Sequence, residues 1–199
     1  MLARHLIRHG VNPPAHMDIR KLQIPGPVVI VPRKFDDARG FLSETYSDEE
    51  FCANVAQARF VQENHSYSEY AGTIRGIHFQ VPPHAQGKLV RVVRGAIFDV
   101  AVDLRVGSPT FGRHAAVELS AANWCQVWIP AGFGHGLCTL EPHTEVVYKL
   151  TAPYRPESER GIAWNDPGLA IDWPLGPHEP RLSDRDRKHP RLAEAPAYF

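Results

Sequence analysis

Between residues 88 and 150 the chain offers one β-prone run after another with no helix between them. Residues 89–93 and 96–104 are two such runs, joined around Arg94-Gly95. Residues 117–119, 125–129, 136–140 and 145–150 repeat the theme, with Gly, Pro, Asn or Ser at the breaks. Many short, regularly spaced strands of this kind predict an all-β jelly roll or a related double-sheet barrel. Within residues 96–104, Phe98, Val100, Val102 and Leu104 fall on one face, while Asp99, Ala101 and Asp103 fall on the other. That alternation describes a sheet with one apolar surface and one polar or ligand-facing surface. No repeat of solenoid period is visible.

The flanks are less regular. Residues 1–20 alternate polar, His and Pro without a period and read as a flexible N-terminal extension, leaving 21–199 as a single domain. Val28–Val31 is a β-branched run closed by Pro32, and residues 41–46 (FLSETY) are a second candidate strand. Ser47 followed by Glu50 is a capping-box pattern, which predicts a short peripheral helix reaching about Ala56. Past Pro153 the tail is rich in Pro, Asp and Arg and reads as a wrap over one end of the barrel, with one helical turn.

Composition narrows the function classes. A chain of 199 residues that is 43% hydrophobic suits one domain with a real core. Its formal net charge is zero, so no global field draws in nucleic acid or membrane, and an anionic ligand must be held by local Arg and Lys clusters. Cys52, Cys125 and Cys138 are few, widely spaced and odd in number, which suits structural thiols in a reducing compartment. The N-terminus lacks the apolar core of a signal peptide, and no apolar stretch is long enough to span a bilayer. The expectation is a cytoplasmic protein.

The segment Gly72–Gln80 (GTIRGIHFQ) sets Arg75 and His78 in an apolar, β-prone run. Residues three apart on a regular strand face opposite sides. Gly76 between them offers a bulge that turns both to one side, a device common near active sites. On this segment alone, a satisfied, half-buried His78 is the plainer reading. Three further segments add chemistry. Lys88 places a cation at the start of a strand, and Pro130–Gly136 (PAGFGHG) is a turn that projects His135 into a barrel. Tyr148 shares a face with Thr144, Val146 and Leu150, as core filler or as a phenol opposite a histidine.

Taken together and in order, FDDARGFLSETY, FVQENHSYS, GTIRGIHFQ, QGKLVRVVRGAIFDVAVDLRVGSPTFG, WIPAGFGHG, VVYKLTAPY, ERGIAWNDP and IDWPL…LSDRD resemble the dTDP-4-dehydrorhamnose 3,5-epimerase family. The likeness covers about Val28 to Pro190. It implies a metal-independent, cofactor-free, cupin-type jelly roll that works as a homodimer. It also implies a dTDP-sugar substrate, dTDP-4-keto-6-deoxyglucose, inverted at C3 and C5 on the way to L-rhamnose. Residue by residue, it makes His78 the base, oriented by Asp186 with Asp184 as the nearby competitor. Lys88 becomes the group that stabilises the enolate oxygen, and Tyr148 the acid on the other face. Arg75 and His135 line the pyrophosphate and sugar pocket, and Arg39, Glu44, Gln62, Asn64 and Tyr154 complete the nucleotide contacts.

The residue types suit that chemistry. Loss of a hydrogen beside a ketone puts charge on the carbonyl oxygen, where a cation stabilises it as it develops. An imidazole, with an unperturbed pKa of about 6.5, suits a base at neutral pH, and a carboxylate behind it fixes the tautomer. Guanidinium groups bind diphosphate oxygens through paired hydrogen bonds. Plainer readings stand beside these. Asp186 lies in a charged run that solvation alone explains, and Arg39 with Glu44 makes an ordinary surface pair. His65, His84, His114, His143, His178 and His189 read as surface or loop residues without partners. The family pattern is broken at Ala152-Pro153, where an acidic residue and an aromatic are usual, and a single-centre epimerase is the alternative outcome. A metal-dependent cupin would enlist His135 but lacks the close H-x-H pair around His78. A non-catalytic sugar-nucleotide-binding cupin would not need His78, Lys88 and Tyr148 together.

Overall fold

Residues 17–177 and 179–199 are described by the computed structural model, and in them the β-prone runs become thirteen strands, all antiparallel to their neighbours within the sheets. The six-stranded sheet runs in the order β1 (Asp18–Lys21), β2 (Val28–Val31), β10 (Gln126–Ile129), β7 (Lys88–Arg94), β12 (Thr144–Leu150), β5 (Gln62–Ser68). The five-stranded sheet runs β13 (Glu159–Gly161), β6 (Ile74–Gln80), β11 (Phe133–Thr139), β8 (Ala96–Asp103), β9 (His114–Ser120). A hairpin of β3 (Phe35–Asp37) and β4 (Gly40–Leu42) stands apart from both. This is the double-sheet jelly roll that the strand spacing predicts.

Between the sheets, Val90, Val92, Val127, Ile129 and Val146 of one pack with Ile97, Ala101, Phe133 and Leu137 of the other. The outer faces are also covered, each in its own way. The short helix α1 (Asp48–Asn54), whose cap Ser47 accepts from the Glu50 N–H at 3.4 Å, seats Phe51 on Leu89 and Trp128 of the six-stranded sheet. The five-stranded sheet is covered by the chain beyond β13, through Leu169, Trp173, Leu182, Leu192, Tyr198 and Phe199. The wrap expected past Pro153 is therefore real. Its helical content is three single 3-10 turns, at Pro156–Ser158, Asp186–Lys188 and Leu192–Glu194.

That covering changes the meaning of the alternation in β8. Val100 and Val102 pack in the tail-covered cluster, together with Leu104 and the partly buried Phe98, while Ala101 sits in the core between the sheets. The apolar face points away from the barrel interior, toward the tail, and the face carrying Asp99 and Asp103 points inward. All of β8 is buried or nearly so.

Other expectations are corrected. The strand read at residues 41–46 ends at Leu42, because β4 pairs only with β3 and Ser43 and Thr45 turn to hydrogen-bond Trp124 and Gln126 instead. Asp18–Arg20, read as part of an extension, belong to β1 and pair with residues 29–31. Of the rest of the proposed extension, Met17 packs beside Ile30 and Phe51, and residues 1–16 lie outside the described residues. The strand β5 carries no apolar period at all, since Gln62, Asn64 and Ser66 face inward while Glu63, His65 and Tyr67 face solvent. Among the described residues no helix is long and apolar enough to cross a membrane.

Candidate active site

The interior face of the five-stranded sheet is interrupted where β6 passes β11. His135 is opposite His78, but Leu137 is opposite Arg75, so β6 carries one extra residue there. Gly76 makes the bulge possible: its φ is +136°, and a Cβ would sit 2.5 Å from Gly136 Cα and 2.8 Å from the His135 carbonyl oxygen. The bulge expected from the sequence is thus present, and Arg75 and His78 open on the same cavity.

That cavity, about 550 Å3 in volume, lies between the sheets and is closed on one side by the tail. From the five-stranded sheet come Arg75, His78 and His135; from the six-stranded sheet come Gln62, Asn64, Lys88 and Tyr148. The segment between β12 and β13 adds Tyr154, and the tail past β13 adds Arg185 and Asp186. A larger concavity of about 690 Å3, beside Tyr46 and Lys149, holds no histidine and shares only Gln62 with the expected site.

His78 Nε2 lies 2.5 Å from Asp186 Oδ1. The Asp186 carboxylate accepts, so the proton sits on Nε2 and Nδ1 is left as the basic nitrogen. Burial pushes the Asp186 carboxyl up, but His78, Ser183 and His189 outweigh it and hold the group below the usual carboxylate range. Asp186 is 3% exposed, whereas Asp184 is exposed, which decides between the two. The solvated reading of Asp186 is overturned by the turn at Ser183, whose hydroxyl accepts from the Asp186 N–H at 3.1 Å and folds the carboxylate inward.

Lys88, the first residue of β7, is 9% exposed and donates to the His78 carbonyl oxygen at 3.2 Å, bridging the two sheets. Burial pushes its ammonium down to about 8, against the opposing pull of Asp99 and Glu159. His135 Nε2 lies 2.8 Å from Asp99 Oδ2, and burial lowers its pKa despite that carboxylate. The Tyr148 hydroxyl accepts from Asn64 at 3.3 Å, and Asn64 accepts from Gln62 at 2.9 Å. Gln62 also fixes the Tyr154 N–H at 2.8 Å, while Gln80 and Gln86 bond the Pro153 and Ala152 carbonyls at 3.1 and 2.7 Å. The atypical Ala152-Pro153 segment is thus held through its backbone, which needs no particular side chain. Arg75 donates to Ser68 Oγ and the Tyr67 carbonyl at 3.2 and 3.0 Å.

Two expected residues are elsewhere. Arg39 is exposed and paired with Asp37 at 2.5 Å rather than with Glu44, and neither Arg39 nor Glu44 lines the cavity. They belong to the β3–β4 hairpin and the segment after it, away from the residues that line the cavity. Several histidines read as unpartnered do have partners: His65 with Glu145 at 2.9 Å, His84 with Ser158 at 2.9 Å and His143 with Tyr67 at 2.7 Å. His189 is a further correction, lying beside His78 and not on the surface. His178 lies outside the described residues. Sequence reasoning missed the Arg185–Glu159 pair at 2.5 Å, whose carboxylate also accepts from the Tyr154 hydroxyl at 2.6 Å. The only signal for Arg185 was its place beside Asp186 in LSDRD.

Residues 21–194 match the family model described as dTDP-4-dehydrorhamnose 3,5-epimerase. The chain is 50% identical over 183 residues to dTDP-4-dehydrorhamnose 3,5-epimerase of Sinorhizobium fredii, covering 92% of this chain and 93% of the relative. A Legionella pneumophila dTDP-6-deoxy-D-glucose-3,5-epimerase, solved with dTDP-4-keto-L-rhamnose, superposes with a TM-score of 0.88 at 44% identity, covering 92% and 96% of the two chains. A 3′-monoepimerase from Streptomyces bikiniensis, solved with dTDP-quinovose, superposes at 0.81 with 38% identity and 87% of each chain covered. With the same succession of motifs, the same barrel and a match that runs through the tail, the chain belongs to the dTDP-4-dehydrorhamnose 3,5-epimerase family.

Proposed function

We propose that this isomerase inverts C3 and C5 of dTDP-4-keto-6-deoxy-D-glucose to give dTDP-4-keto-L-rhamnose, with His78 as the base. The observation that carries the reading is the His78–Asp186 pair opening on a cavity whose opposite sheet presents Lys88 and Tyr148. His78 Nδ1 takes the proton from the carbon beside the C4 ketone, and the C–H electron pair moves into the carbonyl to form an enolate. Asp186 stabilises the imidazolium that results. The Lys88 ammonium, in a desolvated site, offsets the charge on the enolate oxygen. Tyr148 delivers a proton to the opposite face of the same carbon, which inverts it. No atom is gained or lost overall, and the phenol and imidazole are reset by solvent.

Arg75 suits the diphosphate because its guanidinium can bind two oxygens at once. His135, kept largely neutral by burial, offers a hydrogen bond to the sugar, and Gln62, Asn64 and Tyr154 contact the nucleotide. No metal or other cofactor is required by these steps. Arg39 and Glu44 can act as nucleotide contacts only toward a second copy of the chain. A homodimer in which the β3–β4 hairpin is covered accounts for that, since Phe35, Phe41 and Leu42 on it are 50%, 49% and 74% exposed. Three free thiols support a cytoplasmic, reducing location.

The test is incubation with the 4-keto sugar nucleotide in heavy water, read by NMR. Deuterium is expected at both C3 and C5. Label at one carbon would instead favour the single-centre reading, which the likeness to the 3′-monoepimerase keeps in view. No label with intact binding would favour a non-catalytic binding module. Tyr148→Phe is expected to retain proton removal but to impair inversion; loss of exchange equal to that of a His78 variant would refute this division of labour.

A further inference from the structure

The tail that supplies Asp186 also brings a second histidine to the site. Asp186–Lys188 form a single turn, and His189, the next residue, stands edge-on to His78 with ring centroids 5.5 Å apart. Its Nε2 is 3.7 Å from Asp186 Oδ1, beyond hydrogen-bonding distance. Among the described residues, His189 Nε2 and Arg33 Nε are the buried side-chain polar atoms without a hydrogen-bond partner. Such orphaned atoms are rare in folded proteins and call for an explanation. Nor is the ring free to swing away, because β13 presses on it: a Cβ on Gly161 would fall 2.5 Å from the ring.

One donor atom each from His78, Asp186 and His189 lies within 4.8 Å of the other two, the one such group among the described residues. Two imidazoles and one carboxylate form the donor set of open zinc sites, which leave a fourth position for water or substrate. In a tetrahedral site with bonds of about 2.0–2.2 Å, donors lie roughly 3.4 Å apart. The His189–Asp186 separation is already near that value. The shorter His78–Asp186 separation must open by somewhat less than about 1 Å once the shared proton leaves.

We propose that His78, Asp186 and His189 form a binding site for a divalent transition metal of the zinc class, and that its occupancy silences the enzyme. This rests on the reading of His78 as the base. The cation takes the place of the proton between His78 Nε2 and Asp186. It removes the carboxylate that orients the imidazole and withdraws electron density from Nδ1, leaving a much weaker base. The adjacent Arg185 cation is offset by its 2.5 Å pair with Glu159. The site is reached through the cavity on which His78 and Asp186 open. Metal here is an inhibitor, not a cofactor.

The test uses chelator-treated full-length protein, titrated with Zn2+ by calorimetry and with Co2+ by visible absorption, beside His189→Ala and His189→Gln. Wild type is expected to bind one equivalent, to give the intense absorption of low-coordinate Co2+, and to lose deuterium exchange until EDTA restores it. The variants are expected to keep exchange and to bind Zn2+ at least about tenfold more weakly. Unchanged zinc affinity in a folded variant, or no low-coordinate Co2+ spectrum in wild type, would overturn the site; the second criterion holds even if both variants misfold. His189-dependent binding that leaves exchange intact would overturn the silencing. Because binding is read without turnover, a chelated protein that never exchanges deuterium counts against the epimerase reading and not against the metal site.

Discussion

Two histidine–carboxylate pairs sit on neighbouring strands of one sheet, with His78 of β6 directly opposite His135 of β11. In each, Nε2 faces an aspartate, at 2.5 Å for Asp186 and 2.8 Å for Asp99. They differ in where the carboxylate comes from. Asp99 is on β8, the strand next to β11, whereas Asp186 arrives from a tail 108 residues away in sequence from His78. They differ in exposure as well: the His78 side chain is 21% exposed and that of His135 10%. The deeper pair is fixed by the sheet and suited to holding a ligand. The shallower pair is assembled by the tail, and its other ring nitrogen is the one assigned to proton removal in the proposed mechanism. On the proposed mechanism the same two residue types serve different ends, because one pair belongs to the barrel and the other to its cover.

Four measurements test that contrast. The largest effect is expected from His78→Ala, which should reduce deuterium exchange at both carbons to background, while His135→Ala weakens binding and leaves measurable exchange. Equal loss in both would erase the distinction. Next, Asp186→Asn should slow exchange on the order of a thousandfold, because the carboxylate that holds the Nε2–H tautomer and stabilises the imidazolium is gone. Asp184→Asn should have no effect, since that side chain is exposed. A smaller loss, about tenfold or roughly 1.4 kcal/mol, is expected for Asp99→Asn, mainly in KM, as one charge-assisted hydrogen bond becomes a neutral one. If Asp99→Asn costs as much in kcat as Asp186→Asn, both pairs take part in proton transfer.

The smallest effect is a pH dependence. A lysine carries its charge below its pKa, and burial has brought Lys88 down to about 8. Exchange should therefore fall as pH rises through 8, by about half at that point. A rate that stays flat to about pH 9 would show that the enolate is stabilised without the Lys88 cation.

Much of this was legible in the residues. The runs around Val90, Val100 and Val146 report strands, since β-branched alternation has few other uses. Ser47 and Glu50 marked the helix start, and Gly76 marked the bulge because only a residue without a Cβ fits against Gly136. β5 was not legible as a strand, because a strand with one face in a polar cavity and the other in water shows no hydrophobic period. Arg39 and Glu44 illustrate the opposite limit: a family pattern named them, yet neither is among the described residues that line the cavity.

The residues alone were enough for the all-β class, the positions of the barrel strands other than β5, and the residue types able to move a proton. The tertiary structure alone decided that Asp186 and not Asp184 meets His78, that the apolar face of β8 lies beneath the tail, and that His189 joins the site. The physical reason is the same in each case. Local periodicity records which side of an element avoids water, but the group that replaces the water is chosen by packing between segments far apart in the chain.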